Sequence, residues 1–208
     1  MARTVPSITR SLKAILIGAV ALSFVAGPTL LASAPASAAD GSTIVGTETD
    51  AKGRTVLLRQ GTYNGSVGFG WTKIQQRHAI KSKNSIGFVL KAPNGGTAQG
   101  EDRLYIAYAN QIVCTSKCEV ADQRQVKVVN KTGAYSQYYG VPLGGKVVGV
   151  TTAYCENPDK SLPCPAWVDI AIGSKKPAVT PQSAAEAAAE TTSTMWTYEP
   201  LAVGTVLP

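Results

Sequence analysis

Residues 71–91, WTKIQQRHAIKSKNSIGFVLK, contain the change of hydrophobic period on which the fold turns. Trp71, Ile74 and His78 recur at three- and four-residue spacing, which predicts one face of a helix over Trp71 to Ile80. Past Lys81 the period shortens to two, and Ile86, Phe88 and Leu90 fall on one side of an expected strand over Ser85 to Lys91. Further strands are expected over Leu104 to Asn110, the valine-dominated Gln125 to Asn130, and the β-branched Lys146 to Tyr154. Turn clusters at 93–96, 114–118, 131–133 and 144–145 separate them. Pro165 to Ile172 reads either as a short helix opened by proline or as an alternating strand. The order predicts a single α+β domain over residues 54–173, with one N-terminal helix packed on a four- or five-stranded antiparallel sheet.

The flanks read differently. Arg3, Arg10 and Lys13, the apolar run Ala14 to Ala26 and the small residues Ala36-Ser37-Ala38 together predict a secretory signal peptide over residues 1–38. Gly27 and Pro28 interrupt a run too short for the ~20 residues of a spanning helix, so no integral membrane segment is expected in the mature protein. A flexible start is expected over residues 39–53. The segment 174–208 is expected to be a low-complexity, disordered tail, because Ala, Ser, Thr, Pro and Glu dominate 174–194; its apolar end, Met195 to Tyr198 and Leu201 to Pro208, reads either as a loose tail or as a segment that docks on the domain or a partner.

A secreted, extracellular chain sits where thiols oxidise, so Cys114, Cys118, Cys155 and Cys164 read as two disulfides. Of the three possible pairings, Cys114 with Cys118 and Cys155 with Cys164 are favoured, because each bracket encloses a short polar or proline-rich loop. A four-cysteine zinc site would want tighter pairs, so no metal and no cofactor is expected. Removing the signal peptide takes three positive charges with it and lowers the net charge from +7 to +4. More telling is the block 51–100, where Lys52, Arg54, Arg59, Lys73, Arg77, Lys81, Lys83 and Lys91 stand without one Asp or Glu. Such a block draws in polyanions, here RNA or an anionic cell wall.

Motifs exclude several chemistries. No phosphate-binding G-x-x-x-x-G-K-[ST] loop, no G-x-S-x-G elbow and no H-E-x-x-H zinc helix occurs. His78 is the chain's one histidine, and Lys73, Arg77, Lys81 and Lys83 surround it in sequence. Histidine titrates near neutrality and suits the proton transfers of RNA cleavage, while the cations would hold phosphate.

The stretch Gly68-Phe69-Gly70-Trp71-Thr72-Lys73-Ile74 through Arg77-His78, with Gly149-Val150-Thr151-Thr152-Ala153-Tyr154-Cys155 and Cys164-Pro165-Ala166-Trp167-Val168, resembles toxin domains of actinobacterial secreted and polymorphic-toxin proteins. These belong to the barnase, EndoU and colicin-type ribonuclease group. The resemblance implies metal-independent cleavage of RNA, with His78 as general acid or base and Lys127, Thr152 and Tyr154 as partners on the strands. It also implies a proteinaceous inhibitor as a partner. Ala166 departs from the acidic residue expected in that motif. Two other readings use the same features: a non-enzymatic module for anionic polymers, and a secreted protease inhibitor that presents Lys117 on the Cys114–Cys118 loop.

Overall fold

A computed structural model of the chain describes residues 40–173 and 191–208. The expected signal peptide and the alanine-rich stretch Ala184 to Ala189 lie outside the described residues. Two hairpins open the domain: β1 (Ile44–Thr49) with β2 (Thr55–Arg59), then β3 (Thr62–Tyr63) with β4 (Gly68–Phe69). Helices α1 (Gly70–His78) and α2 (Lys83–Leu90) follow, then the strands β5 (Thr97–Gln99), β6 (Asp102–Cys114), β7 (Cys118–Tyr138) and β8 (Val141–Glu156). Helix α3 (Ala166–Gly173) and strands β9 (Thr191–Thr197) and β10 (Val206–Leu207) complete the described elements.

The arrangement corrects the expected fold of one helix on a four- or five-stranded sheet. The described residues are mostly β, with three helices and a six-stranded sheet. Three long antiparallel strands, β6, β7 and β8, form its body. The outer edge of β6 is covered by β5 at Asp102 to Leu104 and by β9 at Tyr108 to Cys114. Where β8 stops, β10 takes over the outer edge of β7 at Cys118 and Glu119.

The strand expected over Ser85 to Lys91 is replaced by helix α2 (Lys83–Leu90). Ile86, Val89 and Leu90 sit at the three- and four-residue spacing of a helix, and all three are buried. An apolar run of this length carries both periods, and burial against the sheet selects the helical one. Pro165 to Ile172 resolves as helix α3. Two segments expected to be unstructured pair instead: Ile44–Thr49 is β1, and Thr191–Thr197 adds to β6.

One core joins the layers. Tyr105, Ala107 and Ala109 of β6, Val126 and Val128 of β7, and Val150, Ala153 and Cys155 of β8 face Trp71, Ile74, Ile86, Val89, Leu90 and Val168 of the helices. The alanines keep the sheet surface low where α2 and α3 cross β6, and each large apolar side chain buried there contributes about 1.5–3 kcal/mol. A second cluster, Phe69, Val141, Leu143 and Val148 with Tyr135 and Tyr138, closes the β7–β8 hairpin end.

Two glycines set the approach of the hairpins to this core. Gly61 has φ +68°, and a Cβ there would lie 1.9 Å from the Phe69 carbonyl oxygen. Gly149, at φ +89°, lets β8 pass β2 so closely that a Cβ would lie 2.2 Å from the Leu57 carbonyl oxygen. Both disulfides form in the local pairing, Cys114–Cys118 and Cys155–Cys164. Among the described residues no helix is long and apolar enough to cross a membrane.

Candidate functional site

Helix α1 presents Trp71, Ile74 and His78 on one buried face, and its last residue is His78. Ala79, in the left-handed region at φ 57°, ends the helix there. The His78 carbonyl accepts a hydrogen bond from the Cys164 amide at 2.9 Å. Its ring lies 5.7 Å from the Tyr154 ring, tilted by 39°. Nδ1 stands 3.2 Å from the Leu162 carbonyl oxygen, and because a carbonyl only accepts, Nδ1 carries the proton. Nε2 is then the basic nitrogen.

His78 is 6% exposed. Burial pushes its pKa below the ordinary value, the Leu162 carbonyl works the other way, and the charges of Lys73 and Arg77 push it down again. The ring is therefore neutral at neutral pH. The loop 157–163, closed by the Cys155–Cys164 disulfide, reaches the ring through the Leu162 carbonyl. Asn157 Nδ2 donates to the carbonyls of Ser161 and Pro163, each at 2.9 Å, so the loop carries its own hydrogen bonds. Asp159 accepts from the Ser161 amide and hydroxyl, which hold its carboxyl below the usual range.

Tyr154 is the ladder partner of Lys127, so the two share a face of the sheet. Thr152 lies two residues along the same strand and shares that face as well, with a buried hydroxyl that has no partner among the described residues. The Lys127 ammonium is paired with the Glu156 carboxylate. The sequence reading missed Glu156, whose alternation with Tyr154 along β8 is visible but whose pairing depends on the register of β7.

The basic residues divide. Lys73 and Arg77 act electrostatically on His78; Lys73 is lowered by burial first and then by Arg77, whose Nη1 donates to the Ser66 carbonyl at 2.8 Å. Lys83 is directed elsewhere: its ammonium bonds the Val45 carbonyl at 2.9 Å and sits 5.9 Å from the Trp71 ring centre. Lys81 is exposed, and its backbone amide is held by Asp169. Lys117, at the tip of the β6–β7 hairpin, pairs loosely with Glu119 at 3.7 Å.

The chain matches no family model, no curated protein and no solved structure. The chemistry therefore rests on this constellation alone. It offers a neutral imidazole of fixed tautomer, a phenol against it, an ammonium–carboxylate pair beside the phenol, and two cations on the same helix, Arg77 next to His78 in sequence and Lys73 five residues before it. Among the described residues no group of three or more His, Cys, Asp or Glu side chains could hold a metal ion.

Proposed function

We propose that the chain is an exported ribonuclease-like toxin that cleaves RNA by acid–base chemistry at His78. The observation that carries this reading is the state of His78: neutral, fixed with Nδ1 protonated, and set against Tyr154. In the proposed reaction Nε2 removes the ribose 2′-hydroxyl proton, and the 2′-oxygen attacks the adjacent phosphorus. The bond to the 5′-oxygen breaks, leaving a 2′,3′-cyclic phosphate, and the leaving oxygen takes a proton from the Tyr154 hydroxyl. Lys73 and Arg77, on the helix that carries His78, offset the charge that develops on the phosphate; Lys127 lies on the sheet face opposite Val126 and Val128 and is paired with Glu156. His78 is buried, so RNA reaches the ring only when the segments around it open. Two disulfides agree with an oxidising compartment and hence with export, and an inhibitor protein would protect the producing cell.

The test is incubation of the purified protein with an RNA oligonucleotide and with the same oligonucleotide lacking the 2′-hydroxyl at one linkage. Cleavage that ends in cyclic phosphate, spares the deoxy linkage and disappears in His78→Gln is the expected result. Cleavage that survives His78→Gln refutes the mechanism. The burial of His78 favours a second reading, a non-enzymatic module for anionic polymer. That reading expects salt-sensitive binding of RNA with no turnover in the same experiment.

A further inference from the structure

We infer that the corner where the β3–β4 and β7–β8 hairpins meet is a stacking site for an RNA base, with Tyr139 as its platform. Strands β7 and β8 are joined by two residues, Tyr139 and Gly140, between the paired Tyr138 and Val141. Both joining residues have positive φ, 47° and 77°, in the kind of turn that favours Asn-Gly because most side chains are strained there. Tyrosine is held in that position at a cost to the fold, where asparagine would serve the turn better. A bulky residue kept in a strained backbone conformation points to a use other than the turn itself.

The surroundings of the ring show what that use is. Tyr139 is 50% exposed, and its ring stacks on Phe69 at 6.3 Å and 19°, with the Tyr138 ring at 4.9 Å and 85°. Phe69 is 0% exposed, so the exposed part of Tyr139 lies away from it. The result is an open aromatic surface with a fixed backing, which loses little side-chain freedom when a second flat ring is laid on it. Phe69 belongs to β4 and also packs against Tyr138 at 5.1 Å, which brings the two hairpins together. Two residues before Phe69, Val67 adds another half-exposed apolar side chain.

Charge favours a nucleic acid over a neutral ring. Arg77 Nη1 donates to the Ser66 carbonyl at 2.8 Å, which puts a guanidinium at the β3–β4 tip. Lys146 is exposed and is the ladder partner of Tyr135, whose ring lies 5.5 Å from that of Tyr138. Neither cation has a carboxylate partner among the described residues. Two carboxylates come toward this corner and both are engaged: Glu101 accepts from Tyr135 and Lys131, and Asp40 from Ser42, next to the Gly41 that abuts Val141. An exposed aromatic ring flanked by unpaired cations suits a base and its neighbouring phosphates. Phe69 precedes α1 and His78 ends it, a helix about 13 Å long at 1.5 Å per residue, so one strand of a few nucleotides reaches both. The inference rests on RNA as the ligand, and not on cleavage at His78.

Calorimetry on the purified protein with two hexamers of equal charge tests it. One alternates adenosine and uridine with every 2′-hydroxyl methylated, so that it cannot be cleaved, and the other is the same backbone without bases. The base-bearing hexamer is expected to bind about tenfold tighter or more. Tyr139→Asn suits the turn and is expected to stay folded, as its thermal transition will show, and to bring that ratio close to one. Tyr139→Phe keeps the ring and should keep the ratio. Equal binding of the two hexamers by wild type, a ratio unchanged in Tyr139→Asn, or a ratio lost in folded Tyr139→Phe would each overturn the inference. RNA cleavage together with equal binding removes the stacking site and leaves the His78 reading standing; base-dependent binding without cleavage does the reverse.

Discussion

Replacing Asp50 with Asn should remove a pH-dependent share of stability whose size follows from the structure. Asp50 is 4% exposed and collects five contacts. The amides of Lys52 and Arg54 donate to Oδ1 at 2.8 and 3.0 Å, and the Tyr105 hydroxyl and Arg54 Nε donate to Oδ2, both at 2.8 Å. Arg54 Nη2 adds an ion pair at 2.7 Å. Burial alone would raise the carboxyl's pKa, but these donors outweigh it and lower the value from 3.8 to about 2. Tyr105, buried and donating to a carboxylate, is raised to about 12. A depressed folded-state pKa gives stability that is complete above the unfolded value and is lost as pH falls through the folded one. The displacement corresponds to about 2 kcal/mol, lost between about pH 5 and pH 2. Urea unfolding followed by tryptophan fluorescence, with Trp71 buried against the sheet, measures it. The gap between wild type and Asp50→Asn should shrink by about 2 kcal/mol from pH 6 to pH 2. Other acid-sensitive carboxylates, Asp40, Glu101 and Asp159, are common to both proteins and cancel. A gap that stays constant across that range refutes the reasoning.

Ala79→Gly should stabilise the protein by about 0.5–1 kcal/mol, seen as a higher thermal midpoint, because Ala79 holds a left-handed conformation at φ 57° that glycine adopts freely. Asp169→Ala should cost about 2–3 kcal/mol in urea unfolding. That carboxylate, on α3, accepts from the Lys81 and Ser82 amides and the Ser85 hydroxyl at the start of α2, where Ser82 supplies no side-chain cap. Changing Cys155 and Cys164 together to Ser should loosen the 157–163 loop and let the His78 pKa rise toward its ordinary value, since burial is the main cause of its depression. An NMR titration of the ring reads this directly, and an unmoved pKa would mean that other elements bury the ring.

Legibility followed the range of the interactions involved. The face Trp71, Ile74, His78 is set by helical geometry over eight residues, the strand at 104–110 by alternation, and those at 125–130 and 146–154 by their valine and β-branched content. Helix α2 was hidden because Ile86, Phe88 and Leu90 alternate while Ile86, Val89 and Leu90 wind, and only the sheet beneath decides between them. Strands β1 and β9 carry few large apolar residues. Their order comes from partners that composition does not reveal, and for β9 the partner β6 lies some eighty residues back in the chain. The residue types of the His78 site were visible in the sequence. Its tautomer was not, because Leu162 reaches the ring through a loop closed by a distant cysteine pair.

The pairing of β9 with β6 also orders events in time. Tyr108 to Cys114 has its hydrogen-bonding edge closed by residues 191–197, which are synthesised some eighty residues after it. Until they arrive, the outer edge of β6 presents an open row of amides and carbonyls, the kind of template on which chains assemble edge to edge. A nascent or clipped chain ending before Thr191 would therefore be aggregation-prone even with its helices and core in place. Residues 191–197 work as a latch, and the outer edge of β6 is protected only when they have closed on it.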